Sequence, residues 1–184
     1  MKKWCVVYSS VTGNTKAIAE QIAGAADADL FSVKDAPMDF SGYEVVAVGY
    51  WLRRGAPDAT AAQFLARLHD AEIVLFQTHG AEIFSEHAVT AFARAANLLG
   101  DNCRILGTFS SQGKINPALI EKRKNAPADA PHGGAAALKR WEAAANHPDE
   151  EDFARARRFV ADMQHKLELR RRYEEKIISQ GGKT

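Results

Sequence analysis

The chain has 184 residues, enough for one domain of roughly 100–200 residues that needs no disulfide scaffold or structural metal to fold. With 46% apolar and 26% charged residues it reads as folded rather than disordered, and 24 Lys and Arg against 23 Asp and Glu leave a net charge of +1, which excludes a polycation working on nucleic acid. The longest apolar run, Val45–Leu52, is too short to span a bilayer, Met1-Lys2-Lys3 leads straight into a strand-like run without a signal peptide, and Cys5 and Cys103 suit a reducing interior, so the cytoplasm is the expected compartment.

Trp4-Cys5-Val6-Val7-Tyr8 lacks alternation, as a strand buried on both faces does. Thr15–Ala26 carries Ile18 and Ile22 four apart among alanines, which predicts an amphipathic helix. Leu30–Val33 is a short strand and Val45–Trp51 another buried one. The segment Ala36–Tyr43 between them is short for a parallel crossover, which normally takes about a dozen residues, and a single helical turn is expected over Met38–Gly42. Pro57-Asp58 opens a helix, proline standing at the first position, with Ala61, Phe64, Leu65 and Leu68 on its apolar face. Ile73–Phe76 is a further buried strand, and Ser85 caps a helix with Ala88, Val89, Phe92, Ala96 and Leu99 on one face. Arg104–Phe109 is the last strand.

Pro148-Asp149-Glu150-Glu151 starts a basic C-terminal helix over 148–176, with Phe153, Ala156, Val160, Met163 and Leu167 as its core stripe. Between them, 114–147 reads as an irregular insertion, rich in Pro and Gly over Ala126–Gly134, with a short helix over Leu138–Ala145. Alternating buried strands and amphipathic helices imply an α/β fold with a parallel sheet covered on both faces, in one domain over 1–184.

The first strand runs into Ser9-Ser10-Val11-Thr12-Gly13-Asn14-Thr15, and a helix follows at once. A hydroxyl- and glycine-rich turn at a helix N-terminus is an anion site, because the first-turn amides are unpaired and the helix dipole favours negative charge there. The loop holds no lysine and no Gly-x-Gly-x-x-Gly, so it reads as a seat for a phosphate monoester held by hydroxyls and amides without a cation. The six histidines show no metal-ligand spacing with the two cysteines, and no Gly-x-Ser-x-Gly surrounds Ser9 or Ser10, so no metal and no catalytic nucleophile are assigned.

Ser10-Val11-Thr12-Gly13-Asn14-Thr15 resembles the phosphate loop of the flavodoxin family, Thr/Ser-x-Thr-Gly-x-Thr, which holds the 5′-phosphate of FMN. The resemblance covers about 1–113 and 148–170. It implies a flavodoxin-like three-layer doubly wound sandwich whose five-stranded parallel sheet has the order 2-1-3-4-5, with FMN at the β1/β3 switch point; flavodoxin is itself the stock example of that rule. Ser10, Thr12, Asn14 and Thr15 would then contact the phosphate through side chains, and Val11 and Gly13 through the backbone. Two further loops would hold the isoalloxazine ring. One is Tyr50-Trp51-Leu52-Arg53-Arg54-Gly55, with Trp51 stacked on the ring, and the other is Thr78-His79-Gly80, with His79 at the ring edge. In that strand order Cys5 and Cys103 lie three strand spacings apart, roughly 14 Å at about 4.8 Å each, so no disulfide joins them.

The sequence departs from typical flavodoxins in two ways. It is not acidic, and its first ring loop carries Arg53 and Arg54, with Gly55 the nearest glycine to offer a peptide carbonyl to the flavin. Gly107–Ile115, Gly49–Asp58 and His147–Asp152 also resemble a small flavodoxin-like subfamily, some of whose members are associated with bilirubin reductase. The resemblance implies an electron carrier between a reductase and an acceptor enzyme, with a bilirubin reductase among the partners it suggests. Two alternatives stand beside it: an FMN-dependent oxidoreductase acting directly on a quinone or tetrapyrrole, and a flavin-free module that keeps only the anion site.

Overall fold

Apolar runs that do not alternate must be covered on both sides, and the chain achieves this with helices placed on each face of one sheet. A computed structural model describes residues 3–124 and 134–181. In chain order the elements are β1 (Trp4–Tyr8), α1 (Asn14–Ala26), β2 (Asp29–Ser32), β3 (Val45–Arg53), β4 (Ala56–Pro57), α2 (Ala59–Leu65), β5 (Glu72–His79), α3 (Glu86–Ala96), β6 (Arg104–Gln112), α4 (Pro117–Lys124), α5 (Gly134–Ala144) and α6 (Glu150–Gly181).

Five strands pair in parallel in the order β2-β1-β3-β5-β6, which is the expected 2-1-3-4-5 sheet, and β4 adds a short antiparallel pairing to β3. Side-chain parity divides the core. Trp4, Val6, Val45, Ala47, Val74 and Phe76 point to one face and are covered by Ile18 and Ile22 of α1 and Val160 and Leu167 of α6. Cys5, Val7, Val46, Val48, Ile73 and Leu75 point to the other and meet α2 and α3. The tightest approaches need glycine. A side chain at Gly49 would overlap the Phe76 ring, and one at Gly107 would collide with Met163 of α6. Cys5 and Cys103 are both free thiols, and burial pushes Cys5 up to about 12.

Four expectations are corrected. No helical turn forms over Met38–Gly42: the segment crosses as turns and bends, pinned where Phe40 meets the edge of the Phe64 ring at 5.7 Å. Pro57 is the end of β4 rather than the first helical residue, and Asp58 caps α2. On α3, Ala88, Ala91 and Ala95 are buried and Phe92 and Leu99 pack against the same core, but Val89 of the expected stripe is exposed. The stretch 114–147 is more regular than it reads: α4 and α5 occupy its described parts, and most of Ala126–Gly134 lies outside the described residues.

Candidate functional site

The C-terminal ends of β1, β3 and β5 share one edge of the sheet. From there β1 leads into α1 on one face, while β3 leads through β4 into α2 on the other, which leaves a crevice between the two loops. The first wall is the loop before α1. Ser10 Oγ accepts from the Gly13 amide at 3.1 Å, and Asn14 Nδ2 donates to Thr12 Oγ1 at 3.2 Å and to the Lys114 carbonyl at 2.8 Å. These bonds fold the loop on itself and tie it to the segment after β6. Gly13 caps α1 with φ +89° and no side chain to offer the first-turn amides, while Val11, Thr12 and Gly13 are exposed. A helix N-terminus without a side-chain cap suits an anion.

The second wall is a hairpin. β3 turns at Arg54 (φ +54°) and Gly55 (φ +77°) and returns as β4, a two-residue turn of the twist that hairpins favour. The tip is held from α3, where Arg94 Nη1 donates to the Gly55 carbonyl at 2.8 Å. The Asp58 amide donates to the Trp51 carbonyl at 3.1 Å, which extends the ladder by one pair beyond Leu52↔Pro57.

Between the walls lies a cavity of about 650 Å³, lined by Ser9, Ser10, Val11, Gly13 and Lys16, by Ser32 at the end of β2 with Val33 and Lys34 after it, and by Trp51, Arg53, Asp58, Ala59 and Thr60. That volume falls in the ~300–1,000 Å³ range of small-molecule sites. Of the residues proposed from the sequence, Ser10, Val11, Gly13, Trp51 and Arg53 line it, and Thr12 and Asn14 hold its loop. Thr15 is buried and shares a 2.8 Å bond with Thr78. One hydroxyl of that pair must accept, so it keeps its own proton for a further acceptor.

The others stand elsewhere. Tyr50 is fully buried in the core under α2, where loss of solvation drives its phenol up, and Leu52 packs against the same core. Gly55 lies beneath Arg94 and His87, and Gly80 faces Ile115. His79 does not reach the cavity. It is 7% exposed, its Nδ1 is 3.0 Å from the Ala81 carbonyl and its Nε2 2.7 Å from Ser110 Oγ. A carbonyl only accepts, so Nδ1 carries the proton and Nε2 accepts from Ser110. Burial holds this imidazole down at about 4, and it is neutral at pH 7.

Lys16, Lys34 and Asp58 border the cavity although no motif singles them out. The phosphate seat is therefore not free of cations as expected, since two lysines and Arg53 reach the cavity. Asp58 is 3% exposed; its Oδ1 accepts from Ser9 Oγ at 2.8 Å and from the Thr60 and Ala61 amides at 3.1 and 3.3 Å. Phe84 is 87% exposed on the loop after β5. The dipeptide Pro57-Asp58 was the available signal for the cap, but not for the cavity it borders.

An uncapped amide cluster for a monoester, an indole wall and a cationic rim fit the phosphate and ring of FMN. Residues 5–161 match the flavodoxin domain family. The chain is 32% identical to the flavodoxin-like domain-containing protein BilS of Clostridioides difficile (strain CD3), over 91% of this chain and 99% of that one. It is 26% identical to BilS of Clostridium symbiosum (strain WAL-14163), over 86% and 94%. Among solved structures, oxidised flavodoxin 2 from Bacillus cereus aligns with a TM-score of 0.52 at 18% identity, covering 89% of this chain and 99% of that one. A short-chain flavodoxin associated with a bacterial microcompartment aligns at 0.54 and 13%, covering 90% and 98%. With most of its length matched, the chain belongs to the flavodoxin family, a flavodoxin-like electron carrier whose cofactor is FMN.

Proposed function

We propose that this carrier passes electrons between a reductase and an acceptor enzyme in the cytoplasm, with the FMN phosphate on Ser10–Thr15 and Trp51 against the ring. The observation that carries this reading is the uncapped N-terminus of α1 opening into a cavity walled by Trp51. Bound FMN supplies reversible uptake of two electrons, and the protein positions and tunes it. Thr12 and Asn14 hold the loop in shape, and the proton left over in the Thr15–Thr78 pair is available to a phosphate oxygen. Arg53 on the rim favours negative charge on the ring as it is reduced. Phe84, exposed after β5, is a second aromatic at this end of the sheet.

The rim of Lys16, Lys34 and Arg53 fits an acidic docking face on the partner, the reverse of an acidic carrier meeting a basic enzyme. A bilirubin reductase is the acceptor that the subfamily resemblance suggests. The purified protein is expected to be yellow and, without added reductase, to leave NAD(P)H unoxidised in the presence of a quinone. Steady NAD(P)H oxidation would make it an enzyme in its own right. A protein that stays colourless with added FMN would leave only an anion-binding module.

A further inference from the structure

The charge of this chain is not spread evenly. Residues 114–124 hold four basic side chains, Lys114, Lys122, Arg123 and Lys124, against Glu121 alone, a net +3 in a chain whose whole balance is +1. The other residues are therefore net acidic. Most of the segment is α4, and the core does not account for this helix. None of its residues from Pro117 to Glu121 is buried, and Leu119 is 38% exposed. Its start is encoded locally instead. Asn116 Oδ1 accepts from the Ala118 amide at 3.0 Å, and Pro117 suits the first helical position. A helix of eight residues is marginal without a surface to pack on.

The fold places α4 beside the cofactor. β6 runs parallel to β5, so α4 leaves the sheet at the edge where the cavity opens. Asn14 Nδ2 donates to the Lys114 carbonyl at 2.8 Å, and a side chain at Gly113 would collide with Asn14. Pro117 is three residues beyond Lys114, so α4 begins within about 10 Å of the phosphate loop. Lys16, Lys34 and Arg53 at the cavity continue the same sign of charge.

We propose that α4 is the docking helix for an acidic redox partner, its positive charge attracting the partner's carboxylates and Leu119 making the apolar contact. This role rests on the carrier reading above and names the element that meets the partner. Charge complementarity selects the occupant, because a net +3 segment beside a basic rim attracts an acidic surface and repels a basic one. An anionic lipid surface shares that charge, but Leu119 is the one large apolar side chain exposed among the described residues of α4, too little to bury in a bilayer.

The test uses holoprotein reduced without excess reductant and mixed in stopped flow with oxidised rubredoxin, an acidic one-electron acceptor, or cytochrome c, a basic one. Two acceptor irons pass from Fe(III) to Fe(II) for each reduced flavin. The rubredoxin rate is expected to fall about fivefold from about 0.01 to about 0.1 M ionic strength, as the Debye length shrinks from about 30 to about 10 Å, and the cytochrome c rate to rise. Lys122→Gln, Arg123→Gln and Lys124→Gln combined should slow rubredoxin about fivefold at the lower salt only. Leu119→Gln should slow it about twofold at both, since a contact is not screened. FMN titrations of both variants should match wild type. An unchanged rubredoxin rate in the triple variant would overturn the docking role. So would a loss there without one in Leu119→Gln, which would reduce α4 to long-range steering, or a cytochrome c rate that falls with salt in wild type. Co-sedimentation with phosphatidylglycerol vesicles that the triple variant loses, while its rubredoxin rate stays unchanged, would reassign α4 to a lipid surface. A wild-type apoprotein that binds no FMN would instead overturn the carrier reading.

Discussion

α1 and α6 lie on the same face of the sheet, yet their N-termini are built in opposite ways. At α6 the donors are consumed internally. Asp149 Oδ1 accepts from the Glu151 and Asp152 amides at 3.0 Å, and Asp152 Oδ2 accepts from the Asp149 amide at 3.1 Å and sits 2.5 Å from His147 Nδ1. Arg155 closes the cluster, 3.2 Å from Asp152 Oδ1 and donating to the Ser110 carbonyl at 2.6 Å. At α1 the cap is a glycine that offers no side chain to the first-turn amides, and the neighbouring hydroxyls fold the loop instead. The difference teaches that what a cap omits decides whether a helix N-terminus beside a cavity keeps amides for the phosphate proposed here. The two ends touch through one bridge: Asn14 donates to the Lys114 carbonyl, and the Lys114 amide donates to the His147 carbonyl.

Removing the acid of the closed end should have the largest effect. Asp152→Ala leaves the partners of a 97%-buried carboxylate uncompensated and is expected to cost about 3 kcal/mol in urea unfolding, while changing FMN affinity little. At the open end the pattern inverts. Thr12→Ala and Thr15→Ala should weaken FMN binding by about 1.5–3 kcal/mol, read by fluorescence titration. The Thr15 variant should also lose some stability with its bond to Thr78. Gly13→Ala has open space around its Cβ but φ of +89°, so backbone strain alone should cost about 1–2 kcal/mol in unfolding. The smallest effect compares two adjacent arginines. Arg53→Gln should lower the potential of the second electron by less than about 59 mV, the one-electron equivalent of a tenfold change. Arg54→Gln, outside the cavity lining, should shift it less, and the reverse order in a redox titration would reassign the rim.

The sheet was legible because its strands are buried runs, which announce both faces at once, and the order followed from the resemblance carried by Ser10–Thr15. β4 was not legible. Arg54-Gly55 reads as part of a ring loop, and only the register of Arg53↔Ala56 reveals a hairpin turn there. Tyr50 and Trp51 are adjacent aromatics on a strand, and period two sends one to the core and the other to the cavity. His79 reads as a loop residue because strand ends are hard to place, and β5 continues through it. Asp58 reads as a helix opener, and that it also carries a buried oxygen without a partner depends on neighbours that no linear pattern displays.

The most direct measurement is the ratio of FMN to riboflavin affinity in wild-type apoprotein, because the two ligands differ only in the phosphate. If the open end of α1 is the phosphate seat, FMN binds at least tenfold more tightly than riboflavin, and Thr12→Ala and Thr15→Ala narrow the gap by weakening FMN alone. Equal affinities for the two flavins would contradict the assignment of Ser10–Thr15 to the phosphate.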